Sequence, residues 1–108
     1  MDTTIQMPDV DAEGYLIEPL EWTEEVAKEL AKQESIELTP EHWDVLSFMR
    51  DAYAVHQVTV DVRHVMKHLA AKHGPDSRNM VFELFPYGYV KQACKIAGMK
   101  RPRAWSTG

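Results

Sequence analysis

The sequence predicts a mainly α fold: a small orthogonal bundle of about five helices, with a short N-terminal β-hairpin and a flexible C-terminal arm. Three observations carry this expectation. Helix-starting signals, Thr23 before Glu24-Glu25 and Thr39 before Pro40-Glu41, precede apolar residues at helical spacing. Between residues 60 and 73, Val62, Val65, Met66 and Leu69 fall at i, i+3, i+4 and i+7 on one stripe. Strand-like sequence is confined to the first 20 residues.

The elements follow in order. Asp11-Ala12-Glu13-Gly14 reads as a turn joining Ile5-Gln6-Met7 to Tyr15-Leu16-Ile17. Thr23 caps a first helix over about 24–33, with Val26 and Leu30 as an apolar pair and Glu24 and Glu25 at its positive end. Thr39 and Pro40 open a second helix running to about residue 56, whose apolar residues cover more than one face, as a central helix requires. A third helix over about 60–73 is opened by Thr59 and stopped by Gly74-Pro75. Ser77 to Leu84 forms a short fourth helix stopped by Pro86 and Gly88, and Val90 to Ala97 a fifth ending at Gly98. Trp43, Leu46, Met49, Val62, Val65, Met66 and Leu69 are the expected core. Residues 1–98 make one domain, and residues 99–108, without periodicity, make the arm.

A chain of 108 residues that is 44% hydrophobic and 27% charged suits one modest core. That leaves little room for an elaborate catalytic cleft, so docking to partners is the favoured mode of action. No long apolar run exists, and Met1-Asp2-Thr3-Thr4 lacks the pattern of a signal peptide; a cytoplasmic location without membrane contact is expected. Charge is unevenly spread. Residues 1–51 hold 14 acidic and 3 basic side chains, whereas residues 52–108 hold 3 acidic and 9 basic ones. The C-terminal half is therefore the natural side for an anionic partner.

Few residues signal chemistry. His64 and His68 have the i, i+4 spacing of a metal pair, but no third ligand is signalled and both lie off the apolar stripe. No metal and no cofactor is expected. The second and third helices, joined through His56-Gln57-Val58-Thr59, invite a helix-turn-helix reading in which Arg63, Lys67 and Lys72 face nucleic acid. Asp61 near the front of that helix argues against it, and ordinary helix packing is the stronger reading. Cys94 is the single cysteine, so no intramolecular disulfide and no cysteine zinc site is possible. Lys91 and Lys95 flank it, and their charge is expected to lower its pKa and make it competent to accept sulfane sulfur. The plain alternative is a small buried residue beside Ala93 and Ala97.

The stretch from Leu84 to Gly98, Leu84-Phe85-Pro86-Tyr87-Gly88-Tyr89-Val90-Lys91-Gln92-Ala93-Cys94-Lys95-Ile96-Ala97-Gly98, resembles the C-terminal signature of the DsrC/TusE family. Glu13-Gly14-Tyr15-Leu16, Leu38-Thr39-Pro40-Glu41-His42-Trp43 and Phe48-Met49-Arg50-Asp51 resemble that family's other blocks in the right order. The resemblance spans about residues 11–103. It implies a helical fold and an arm that hands sulfur between enzymes. In DsrC two arm cysteines carry and release sulfur at dissimilatory sulfite reductase; in TusE the penultimate cysteine alone takes persulfide sulfur toward tRNA thiolation. Cys94 matches the upstream cysteine of DsrC.

The sequence departs from this pattern twice. The penultimate cysteine would fall at position 105, which is Trp105. Tyr89 stands where the family has a helix-opening proline, and loss of that rigid start is expected to loosen the junction slightly. The reading drawn from the residues and the resemblance together is a non-catalytic partner of sulfur-transfer proteins or dissimilatory sulfite reductase. It docks through Lys100, Arg101, Arg103 and Trp105 and is regulatory or accessory because the terminal thiol is missing. A carrier holding persulfide on Cys94 is the alternative, and a DNA-binding regulator the third.

Overall fold

The computed structural model describes residues 7–57, 59–77 and 79–100. Among these the fold is helical. Five helical elements follow in order: α1 (Glu24–Gln33), α2 (Pro40–His56), α3 (Val62–His73), α4 (Met80–Leu84) and α5, in which a π-helical turn (Tyr89–Ala93) continues into an α-helical one (Cys94–Ile96). Short 3₁₀ turns at Pro19–Glu21 and Pro75–Ser77 precede α1 and α4. Helix α5 packs on α1, α3 packs on α2 and α4, and α2 also meets α4.

The N-terminal turn forms where the sequence puts it. The Asp11 carboxylate accepts from the Glu13 and Tyr15 amides, and the chain folds back so that Val10 bridges Leu16 in antiparallel fashion. Pairing is this single bridge among the described residues, and Ile5 and Gln6 lie outside them. The turn drives Tyr15 and Leu16 into the core, where the Tyr15 hydroxyl donates to the Val90 carbonyl of α5 at 2.8 Å.

Local capping explains the helix starts. Thr23 accepts from the Val26 amide at 3.1 Å, and α1 buries Val26, Ala27, Leu30 and Ala31 as one stripe. Thr39 and His42 form a reciprocal box at the start of α2, in which His42 plays the part usually taken by Glu or Gln. Because its Nδ1 accepts from the Thr39 amide at 3.0 Å, the imidazole hydrogen sits on Nε2 and donates to the Leu84 carbonyl at 2.8 Å. One side chain therefore starts α2 and ends α4, while its ring meets Phe85 edge-on. Helix α3 begins two residues later than expected, because Asp61 and not Thr59 caps it: the carboxylate accepts from the Arg63 amide at 2.9 Å and is charged, which suits a helix N-terminus better than a hydroxyl. The fourth helix likewise begins at Met80, Ser77 being spent on the 3₁₀ turn.

The expected core holds. Leu46, Met49, Val65 and Leu69 are buried, and Trp43, Val62 and Met66 pack against them half-buried. The C-terminal end of α5 closes the structure. Its last four carbonyls all find donors, as a buried helix end requires. The Met99 amide donates to the Cys94 carbonyl and the Gly98 amide to that of Lys95, a Schellman pair. The Trp22 indole N–H donates to Ile96 at 2.8 Å, and Arg50 donates to Ala97 at 3.0 Å while its other nitrogen reaches Pro19 at 3.0 Å. The guanidinium lies over the Trp22 ring, 4.5 Å from its centroid.

Gly98 permits this closure, having φ of 74° and so little room that a Cβ would stand 2.4 Å from the Trp22 ring. Gly98→Ala should therefore cost about 2–4 kcal/mol, from left-handed strain and displacement of the indole together. Urea unfolding measures this, and a loss under about 1 kcal/mol would show that the Trp22 contact is soft.

Candidate functional site

Cys94 lies at the middle of α5 on its inner face and is fully buried. The preceding π turn determines what surrounds it. The Cys94 amide bonds the Tyr89 carbonyl five residues back, and this wider winding carries Lys91 out to solvent instead of beneath the thiol. Lys95 turns the other way, over the Tyr15 ring at 5.3 Å and toward Glu34 at 3.8 Å. Neither lysine serves the sulfur. The expected lowering of the Cys94 pKa is thus reversed: burial pushes it up to about 12, and the Tyr89 hydroxyl only partly opposes the rise.

Tyr89, at the start of α5, has a place in the core that the sequence reading did not foresee. It is fully buried, and its hydroxyl donates to the Val60 carbonyl in the connection between α2 and α3. A phenol long enough to cross the core supplies a tie that proline has no atom to make. Burial first, and the neighbouring sulfur second, hold the phenol pKa well above its ordinary value.

Gln92, the other buried polar residue of α5, is satisfied on both sides: its amide donates to Glu34 at 3.1 Å, and its oxygen accepts from the Tyr87 amide at 3.0 Å. Beyond α5, Met99 is buried and Lys100 is exposed, its carbonyl accepting from the Thr59 hydroxyl at 3.3 Å. Arg101, Arg103 and Trp105 lie outside the described residues.

The remaining sequence candidates resolve into structural pairs. His68 stacks on Phe48 with ring centroids 4.4 Å apart and bonds Asp44 at 3.1 Å, so it is half-buried and not on a solvated face; His64 is exposed. Lys72 reaches the same Asp44 carboxylate at 2.9 Å, and His73 stands 3.8 Å from it. Burial pushes the Asp44 carboxyl up, but the bonds from Lys72 and His68 outweigh it and keep the group below its ordinary range. Arg63 pairs with Asp61 at 3.0 Å. Two of the three cations that a helix-turn-helix reading would assign to nucleic acid are thus engaged by acids of this chain.

Comparison with known proteins agrees with this geometry. The family model described as DsrC like protein matches residues 3–104. Sulfurtransferase TusE of Escherichia coli is 42% identical over 96 residues, covering 87% of this chain and 88% of that protein. The TusE homolog of Haemophilus influenzae is 41% identical over the same span. Among solved structures, the oxidized gamma-subunit of the dissimilatory sulfite reductase (DsrC) from Archaeoglobus fulgidus superimposes with a TM-score of 0.82 at 38% identity, covering 91% of each chain. Allochromatium vinosum DsrC does so with a TM-score of 0.76 at 42% identity, over 89% of this chain and 88% of that one.

The buried thiol gives stability a pH dependence of definite sign. The folded protein holds the Cys94 proton to about pH 12, whereas the unfolded chain releases it near the ordinary value of 9.0. The contribution is whole below that ordinary value and is lost as pH rises through the folded one. Urea midpoints should fall between about pH 8.5 and 10.5, and fall less in Cys94→Ala. The raised phenol of Tyr89 acts in the same direction in both proteins, so their difference isolates the thiol. Equal slopes would show that Cys94 ionises freely in the folded state.

Proposed function

The chain belongs to the DsrC/TusE family of sulfur-relay proteins, and from that premise we propose that it is an accessory member, one that docks to sulfur-transfer proteins or dissimilatory sulfite reductase without itself carrying sulfur in its resting state. One observation carries the reading: the single cysteine of the chain is fully buried, with its pKa pushed up to about 12. A thiolate is the species that accepts sulfur, and near neutral pH such a thiol supplies almost none.

Position 105, where the family's terminal carrier thiol would stand, is Trp105. An indole holds no sulfur, and the two-cysteine release step has no second thiol within this chain. It does suit docking, since tryptophan flanked by basic residues is a common interface anchor. Lys100, Arg101 and Arg103 supply those charges, and they extend the basic character of the C-terminal half. The protein thus offers the family's docking surface and withholds its chemistry, the behaviour of a regulator or competitor.

The test mixes the full chain with a persulfide-charged sulfurtransferase, then reads co-elution and intact mass. Co-elution with no added sulfur is expected. Trp105→Ala should weaken the complex roughly tenfold to a hundredfold, with thermal stability nearly unchanged. Sulfur recovered on Cys94 of the native protein would overturn the accessory reading in favour of a one-cysteine carrier.

A further inference from the structure

Val10, Ile17 and Leu20 are apolar side chains of one N-terminal unit, left 42%, 52% and 81% exposed. Single exposed apolar residues are ordinary, but these three stand on backbone that is tied together. Val10 bridges Leu16, the Ile17 amide donates to the Asp9 carbonyl at 3.1 Å, and the Leu20 amide donates to the Glu18 carboxylate at 3.2 Å. On either side of Leu20 the chain is held inward: Pro19 is buried with its carbonyl bonded by Arg50, and the Trp22 indole is bonded to α5. The 3₁₀ turn therefore presents Leu20 on a fixed backbone, so covering it costs little further ordering of the main chain. Beside it, Met7, Pro8, Asp9, Leu20, Glu21 and Thr23 line an open groove of about 540 Å³.

The charge around this groove selects what covers it. Between Asp9 and Glu25 the sequence has seven carboxylates and no lysine or arginine. Asp11 and Glu18 are spent on backbone amides, and Glu24 and Glu25 serve the positive end of α1. Asp9 and Glu21, the two that line the groove, have no such use: among the described residues no cation of this chain pairs with either. Unneutralised carboxylates around an apolar surface favour a cationic visitor and repel nucleic acid and anionic lipid. A bare metal ion gains nothing from Leu20, and no group of three acidic or histidine side chains among the described residues is arranged to hold one. We propose that this groove docks a basic segment of a partner protein, which lays an apolar side chain against Leu20 and turns arginine or lysine toward Asp9 and Glu21. The surface is opposite in charge to the C-terminal side of the chain, and it rests neither on the state of Cys94 nor on position 105.

The experiment measures fluorescence anisotropy of a labelled peptide of arginine, glycine and serine with one central leucine, titrated with the full chain. Binding that weakens as salt is raised is expected. Leu20→Ser and Glu21→Lys should each weaken it roughly threefold to tenfold, and because both side chains are exposed, thermal melts should match the wild type. Glu83→Lys makes the same change in net charge on α4, outside the groove, and should alter affinity less than about twofold. Replacing the peptide's leucine by glycine should cost about as much as Leu20→Ser, and the two changes together little more than either, as for partners in one contact. Equal losses in Glu21→Lys and Glu83→Lys would reduce the binding to diffuse charge attraction and overturn the site. So would unchanged affinity in Leu20→Ser, or sedimentation showing self-association that Leu20→Ser abolishes, which would assign the groove to a second copy of the chain.

Discussion

The capped C-terminal end of α5 is the constraint on which the rest of the molecule depends. Four carbonyls in a row need donors, and they draw them from three separate places: the chain's own return at Gly98 and Met99, the indole of Trp22 and the guanidinium of Arg50. Arg50 reaches in the same gesture to Pro19, so the N-terminal segment, the central helix and the last helix meet at one planar cation resting on one ring. A guanidinium does this where an ammonium would not, because its fork presents parallel donors at fixed spacing and its face stacks. The burial of Cys94 is a consequence, since fixing the end of so short a helix fixes which face it turns inward.

The blocks that carry the family resemblance have a common physical purpose. Tyr15, in the first, bonds the Val90 carbonyl within α5. His42, in the second, bonds the Leu84 carbonyl just ahead of it, and Arg50, in the third, closes its far end. Segments scattered along the sequence are therefore three anchors on one C-terminal unit. Their spacing in sequence is set by the geometry of holding that unit in place.

What was legible in the sequence was local. Thr23 and Thr39 announce α1 and α2 because capping acts within three residues, and the stripe from Val62 to Leu69 announces the inner face of α3 because burial repeats with the helical period. The start of α3 was misplaced by two residues because Thr59 and Asp61 are both eligible caps, and only the folded backbone chooses between them. The state of Cys94 was misjudged for a different reason. Flanking lysines lower a thiol pKa only if they stand close to it, but Lys91, in the π turn, faces solvent and Lys95 reaches toward Glu34. Tyr89, His42 and the meeting of Trp22 with Arg50 were invisible as functions, since each joins residues far apart in sequence and leaves no periodic trace.

The depth of Cys94 also bears on how the protein endures an oxidant. Sulfenic acid formation, glutathione capping and disulfide-linked pairing of two copies all begin at an accessible thiolate, and the closed fold presents neither access nor charge. The same burial shields the sulfur from peroxide. A relay protein with a cysteine on a free arm depends on a reducing environment to stay monomeric and intact. Here the packing around Cys94 supplies that protection.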